Sequence, residues 1–99
     1  VPLDDDSVDL CLMATVLHDL AHDGTAQGAL REAARVLKPG GRLAVIEFYK
    51  VEGKPGPPKE IRLDEAETEA LVVPFGFEKE RTVQVGPHNY LTVFAAEKN

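Results

Sequence analysis

A chain of 99 residues, 43% hydrophobic and 28% charged, has the size and composition of one globular domain with one core, residues 1–99. The net charge of −6 excludes nucleic acid and anionic membrane surfaces as main partners, since both need basic patches. No apolar run approaches the roughly 18 residues of a membrane span, and a lone cysteine, Cys11, rules out an internal disulfide and suits a reducing cytoplasm.

The chain opens on an acidic turn, Asp4-Asp5-Asp6-Ser7, read as solvated structure. The nearly continuous apolar run "SVDLCLMA" over residues 7–14 predicts a strand buried on both faces, as in a parallel sheet. A small-residue corner, "TVLHDL", follows. Ala26, Ala29, Leu30, Ala33, Val36 and Leu37 then recur at helical spacing, with Thr25 as the expected N-cap and Lys38 at the negative end of the dipole. Pro39-Gly40-Gly41 cannot continue a helix and predicts a tight turn into the next strand. That strand, "RLAVIEFY" over residues 42–49, is apolar on both faces except for Glu47, which needs a partner or solvent.

Residues 50–62 are rich in Pro, Gly and Lys, lack periodicity and predict a loop, of a length that in compact domains is often functional or mobile. Asp64 with Glu67 three residues on is a capping-box pattern opening a helix, whose apolar side is expected from Ala66, Ala70, Leu71 and Val73. The rest reads as a hairpin: a charged strand "FEKERTVQV" suited to a sheet edge, a "GPHN" turn, and the more apolar "YLTVFAAE". The first three strands should run parallel and the last reverse by hairpin, giving the order 1-2-4-3 with two crossover helices on one face. Cys11 in its apolar strand reads as packing, and His18, His22 and His88 lack the spacing of a zinc site, so no metal is expected.

"PLDDDSVDLCLMATVLHDL", "ALREAARVLKPGGRLAVIEF" and the closing hairpin resemble the C-terminal half of class I S-adenosylmethionine-dependent methyltransferases. Within them the chain looks most like the ubiquinone/menaquinone-biosynthesis type. The resemblance covers essentially the whole chain, and its most specific phrase is the helix ending in L-K-P-G-G before a strand. It implies an α/β fold, half of a Rossmann-like methyltransferase, whose four strands correspond to the family's fourth, fifth, seventh and sixth in sheet order. It also implies S-adenosylmethionine as cofactor of the full-length protein and in-line methyl transfer to a small-molecule acceptor.

The same resemblance assigns candidate residues at the carboxyl ends of the strands. Ala14 and Thr15 would touch the methionine portion of the cofactor, and His18 the cofactor or acceptor. His18 is also the candidate general base, its residue type being suited to neutral pH. Tyr49 and His88, on the same rim, are candidates for facing the substrate, and the 50–62 segment would lie over the acceptor's site. The family's glycine-rich loop and ribose-holding acid are not among these residues, so no cofactor is expected on the isolated chain. One strand edge and one sheet face should be left bare, to be covered by a homodimer partner or by a missing N-terminal half. The alternative is a non-catalytic half-domain that self-associates or completes a partner.

Overall fold

The computed structural model describes residues 3–50 and 57–97. They form strand β1 (Val8–Ala14), helix α1 (Leu17–Asp23), helix α2 (Ala26–Val36), strand β2 (Leu37–Phe48), helix α3 (Glu65–Val72), strand β3 (Phe77–Gln84) and strand β4 (Asn89–Ala96). Short 3-10 turns occupy Lys59–Ile61 and Val73–Phe75. The sheet order is β1-β2-β4-β3, with β1 and β2 parallel and both pairs involving β4 antiparallel, as the alternating crossovers and final hairpin require.

The corner after β1 is itself a helix, so the described residues form three α-helices where two were expected. α1 ends on Gly24, whose φ of 79° supplies the left-handed cap that an L side chain resists. α2 buries Ala26, Leu30, Ala33 and Val36 as its spacing predicted, but it stops at Val36, two residues before Lys38. Leu37 is already extended and pairs with Val8, and the register then jumps to Leu10 opposite Arg42. The Pro39-Gly40-Gly41 stretch is therefore a bulge within β2, with Gly40 at φ 80°. Thr25 does not act as a side-chain cap: its hydroxyl turns back toward the Leu20 carbonyl, at 3.4 Å.

Asp64 does form the capping box, accepting from the Glu67 amide at 2.7 Å while Glu67 Oε1 accepts from the Asp64 amide at 3.0 Å. The buried side of α3 is not the expected one. Thr68 and Val72 face the core, Leu71 is half-buried, and Ala66, Ala70 and Val73 are exposed. The reason is polar: the Thr68 hydroxyl lies 2.7 Å from the Tyr90 hydroxyl, which donates to the Leu63 carbonyl at 2.5 Å, so a satisfied Thr takes the inner position.

The acidic opening turn is structural. Asp6 and Ser7 donate their amides to the Arg35 and Val36 carbonyls at the end of α2, and Arg35 binds Asp5 at 2.7 Å and Glu32 at 2.8 Å. The Arg35 guanidinium holds the Glu32 carboxyl down at about 2.

One face of the sheet carries the core. Met13, Leu43, Val45 and Phe94 pack with Leu17 of α1, Leu30 of α2 and Val72 of α3 in a single cluster, so the helices share that face. The opposite face alternates with it and is bare: Leu10 is 62% and Leu12 58% exposed, while Ala44, Ile46, Leu91 and Val93 are only half-buried. β1 is also a sheet edge, and the other edge is β3, whose Glu78, Lys79, Glu80 and Arg81 are exposed charges that discourage pairing. Cys11 is a free thiol, half-buried, and burial pushes its pKa up, which keeps it protonated packing.

Candidate functional site

The candidate residues lie along one rim, where β1 and β2 end and β4 begins. β1 delivers Ala14, exposed, and then Thr15, whose backbone sits at φ 56°. A β-branched residue rarely adopts this left-handed region, which costs roughly 1–2 kcal/mol. Two hydrogen bonds hold it there: the Thr15 amide donates to the Ile46 carbonyl at 2.8 Å, and its hydroxyl to the Ala14 carbonyl at 2.7 Å. The kink turns the chain from the sheet into α1.

α1 enters with Leu17 fully buried, which anchors the first turn and carries His18 inward to 4% exposure. There it meets Glu47, at 0% exposure, on the helix-covered face of β2. Glu47 Oε2 accepts the His18 backbone N–H at 3.0 Å, and Oε1 lies 2.6 Å from His18 Nδ1. One carboxylate thus satisfies an amide of a helix's first turn, which has no partner within the helix, and fixes the imidazole. This is the partner that an isolated Glu in an apolar strand demanded. The Phe48 ring meets the imidazole edge-on, with centroids 6.1 Å apart and planes at 78°. On the far side of the ring, Nε2 is 3.4 Å from Asp19 Oδ1.

Tyr49 and His88 are joined by the backbone, the Tyr49 amide donating to the His88 carbonyl at 2.9 Å beyond the last rung between β2 and β4. Both are half-buried, and the Tyr49 ring leans on Tyr90 with centroids 5.2 Å apart. His22 is exposed.

Arg62 is a residue the sequence did not flag. It is 2% exposed, donates to the Pro57 carbonyl at 2.8 Å and the Tyr49 carbonyl at 3.2 Å, and lies 5.4 Å over the Phe48 ring. It fastens the end of the 50–62 segment beneath the rim. The expected placement of that segment over an acceptor site falls largely on residues 51–56, which lie outside the described residues. Beside Arg62, Lys50 pairs with Glu67 at 2.8 Å and, with the Asp64 amide, lowers the Glu67 pKa.

His18, His22, Lys50, Arg62 and Glu67 line a polar cavity of about 190 Å³ on the helix side of the rim. A larger apolar groove of about 460 Å³ runs between β1 and α2, lined by residues such as Val8, Leu10, Leu12 and Ala33. It contains none of the candidate residues and belongs to the bare edge of the sheet.

Comparison with known proteins adds family to geometry. Residues 1–45 match the family model described as a methyltransferase domain. Over 51 residues the chain is 45% identical to the mitochondrial 2-methoxy-6-polyprenyl-1,4-benzoquinol methylase of Danio rerio, a stretch that is 52% of this chain and 15% of the relative. Over 48 residues it is 50% identical to the demethylmenaquinone methyltransferase of Tropheryma whipplei, 48% of this chain and 19% of that protein. A solved S-adenosylmethionine-dependent methyltransferase from Aquifex aeolicus matches 97% of this chain with a TM-score of 0.83 and 32% identity. The chain spans 50% of that structure's length, and its match to the two curated relatives a smaller share of theirs. By its "LKPGGR" helix-to-strand passage, its β1-β2-β4-β3 sheet and these relatives, the chain is similar to the class I S-adenosylmethionine-dependent methyltransferases, and among them to the ubiquinone type.

Proposed function

We propose that the protein transfers a methyl group in line from S-adenosylmethionine to a small-molecule acceptor, and that these residues form one half of its site. The observation that carries this reading is the strained Thr15 backbone at the carboxyl end of β1, next to an imidazole locked by a buried carboxylate. Strain of this kind is kept where a site over-determines it.

The residues present suit the methionine portion of such a cofactor. Ala14 offers only a methyl group, and the Thr15 hydroxyl is turned back onto the Ala14 carbonyl, so side chains leave room for close approach to the backbone. When bound, the cofactor supplies an activated methyl group. In this reading Ala14 and Thr15 hold it, His18 contacts it or the acceptor and receives a proton, and Tyr49 and His88 border the acceptor. The two curated relatives are by name a benzoquinol methylase and a demethylmenaquinone methyltransferase, which makes a quinol- or quinone-type ring the acceptor class to assay first.

The bare face and the β1 edge support a second element of the reading. The isolated chain is inactive and is covered in the working protein by the remainder of the fold or, failing that, by a second copy. A non-catalytic half-domain is the competing reading, favoured by the same exposed Leu10 and Leu12. A cytoplasmic location agrees with the single free cysteine.

Calorimetric titration with S-adenosylhomocysteine tests the reading. The 99-residue chain should bind more weakly than about 1 mM, and the same chain with the residues encoded upstream should bind at about micromolar level. Micromolar binding by the 99 residues alone would overturn the half-site idea. A complete protein that neither binds the ligand nor methylates a quinol would leave the half-domain reading standing.

A further inference from the structure

We propose that Glu47 is a positioning residue that sets His18 as a proton acceptor working through Nε2. The inference rests on the methyl-transfer reading above, because it concerns the proton an acceptor must shed. Glu47 spends both carboxylate oxygens on one residue of a different element: Oε2 on the His18 amide at 3.0 Å and Oε1 on Nδ1 at 2.6 Å. An ionised carboxylate only accepts, so the neutral imidazole must carry its proton on Nδ1 and keep the Nε2 lone pair. Phe48, edge-on at 6.1 Å, packs against the ring in this orientation. An apolar side chain at position 47 would leave the His18 amide and Nδ1 without this partner.

In the step itself, the acceptor's bond to hydrogen breaks, an N–H bond forms at Nε2, and the electron pair stays on the acceptor atom as the nucleophile. The imidazolium that results lies between two carboxylates, Glu47 at Nδ1 and Asp19 at 3.4 Å from Nε2. The Asp19 side chain is 64% exposed and gives the proton a way to water. Of the other charged groups on the cavity, Lys50 and Glu67 pair with each other, Arg62 donates to the carbonyls of Pro57 and Tyr49, and His22 faces solvent.

The test uses the complete protein. Nitrogen NMR of ¹⁵N-histidine-labelled wild type should show His18 as the Nδ1–H tautomer, and Glu47→Gln, which keeps the size and one acceptor oxygen, should shift it toward Nε2–H. Glu47→Gln should lower kcat about 10- to 100-fold while the acceptor KM and S-adenosylhomocysteine affinity stay within about twofold. In a His18→Gln background the same change should cost less than about twofold more. A role confined to docking α1 would move affinity and melting temperature with kcat and would add in full to His18→Gln. An active wild type with the Nε2–H tautomer overturns this inference alone, and that arm needs no variant to fold. A wild type that transfers no methyl group takes the proton-acceptor role down with the reading it rests on.

Discussion

Gly41 and Asp9 meet backbone to backbone: a methyl group built on Gly41 would lie 3.2 Å from the Asp9 carbonyl oxygen and 2.9 Å from that of Lys38. This close approach is where β2 closes its bulge and takes up parallel pairing with β1. Gly40 differs, having open space around it but a φ of 80°. Gly41→Ala should therefore cost about 1–3 kcal/mol by overpacking, and Gly40→Ala about 1 kcal/mol by backbone strain. Urea denaturation of the two variants in the complete protein checks the order, and a Gly41→Ala protein as stable as wild type would show that the bulge yields.

Tyr90 is fully buried, and burial raises the pKa of its phenol above the ordinary value near 10. Because the folded-state pKa is the higher one, the stability this group contributes is complete below pH 10 and is lost as pH climbs beyond it. The protein should lose stability above about pH 10, and Tyr90→Phe should flatten that decline. At neutral pH the same variant should be less stable by about 1–3 kcal/mol, since it strips a donor from the Leu63 carbonyl and a partner from Thr68. Melting curves between pH 7 and about pH 11 would decide it, and an unchanged alkaline slope in Tyr90→Phe would assign the loss elsewhere.

Much of this fold was legible because period and punctuation agree. The continuous apolar strands, the Asp64–Glu67 box and the hairpin predict the sheet order that is found. What was hidden depends on long-range pairing. Nothing local in "LHDL" says that the corner is a helix with a first-turn amide capped by a carboxylate 29 residues later. Glu47 in an apolar strand signalled that a partner existed, but only the parallel register of β1 and β2 brings His18 to it. Arg62 gave no signal at all, being one more charge at the end of a Pro- and Lys-rich stretch. The inner side of α3 was misread because a Thr satisfied by a distant Tyr outranks an alanine stripe for a buried position.

Leu10 and Leu12 stand on the bare face at 62% and 58% exposure. Fully burying a leucine is worth about 1.5–3 kcal/mol, and about half of that remains to be gained at each. The isolated chain should therefore associate increasingly with concentration, as read by light scattering after size exclusion. Leu10→Lys with Leu12→Lys should shift it to monomer, and in the complete protein the same pair should destabilise by about 2–4 kcal/mol. A wild-type chain that stays a folded monomer when dilute would remove the case for a covering partner.

Thr15 is strained and exposed enough to be altered without opening the core. Relief of its left-handed backbone is worth about 1–2 kcal/mol, set against about 0.5–1 kcal/mol of added chain entropy when glycine replaces it. Because glycine also gives up the hydroxyl bond to Ala14, Thr15→Gly should lie within about 1 kcal/mol of wild type. Thr15→Val keeps the branched Cβ at φ 56° and loses the hydroxyl bond to Ala14, so it should be less stable by about 1 kcal/mol. If the strain serves the cofactor, Thr15→Gly should melt close to wild type yet bind S-adenosylhomocysteine at least about threefold more weakly, because the backbone loses its preset shape. A glycine variant that is both more stable and as tight a binder would make the Thr15 kink a passive consequence of the turn into α1.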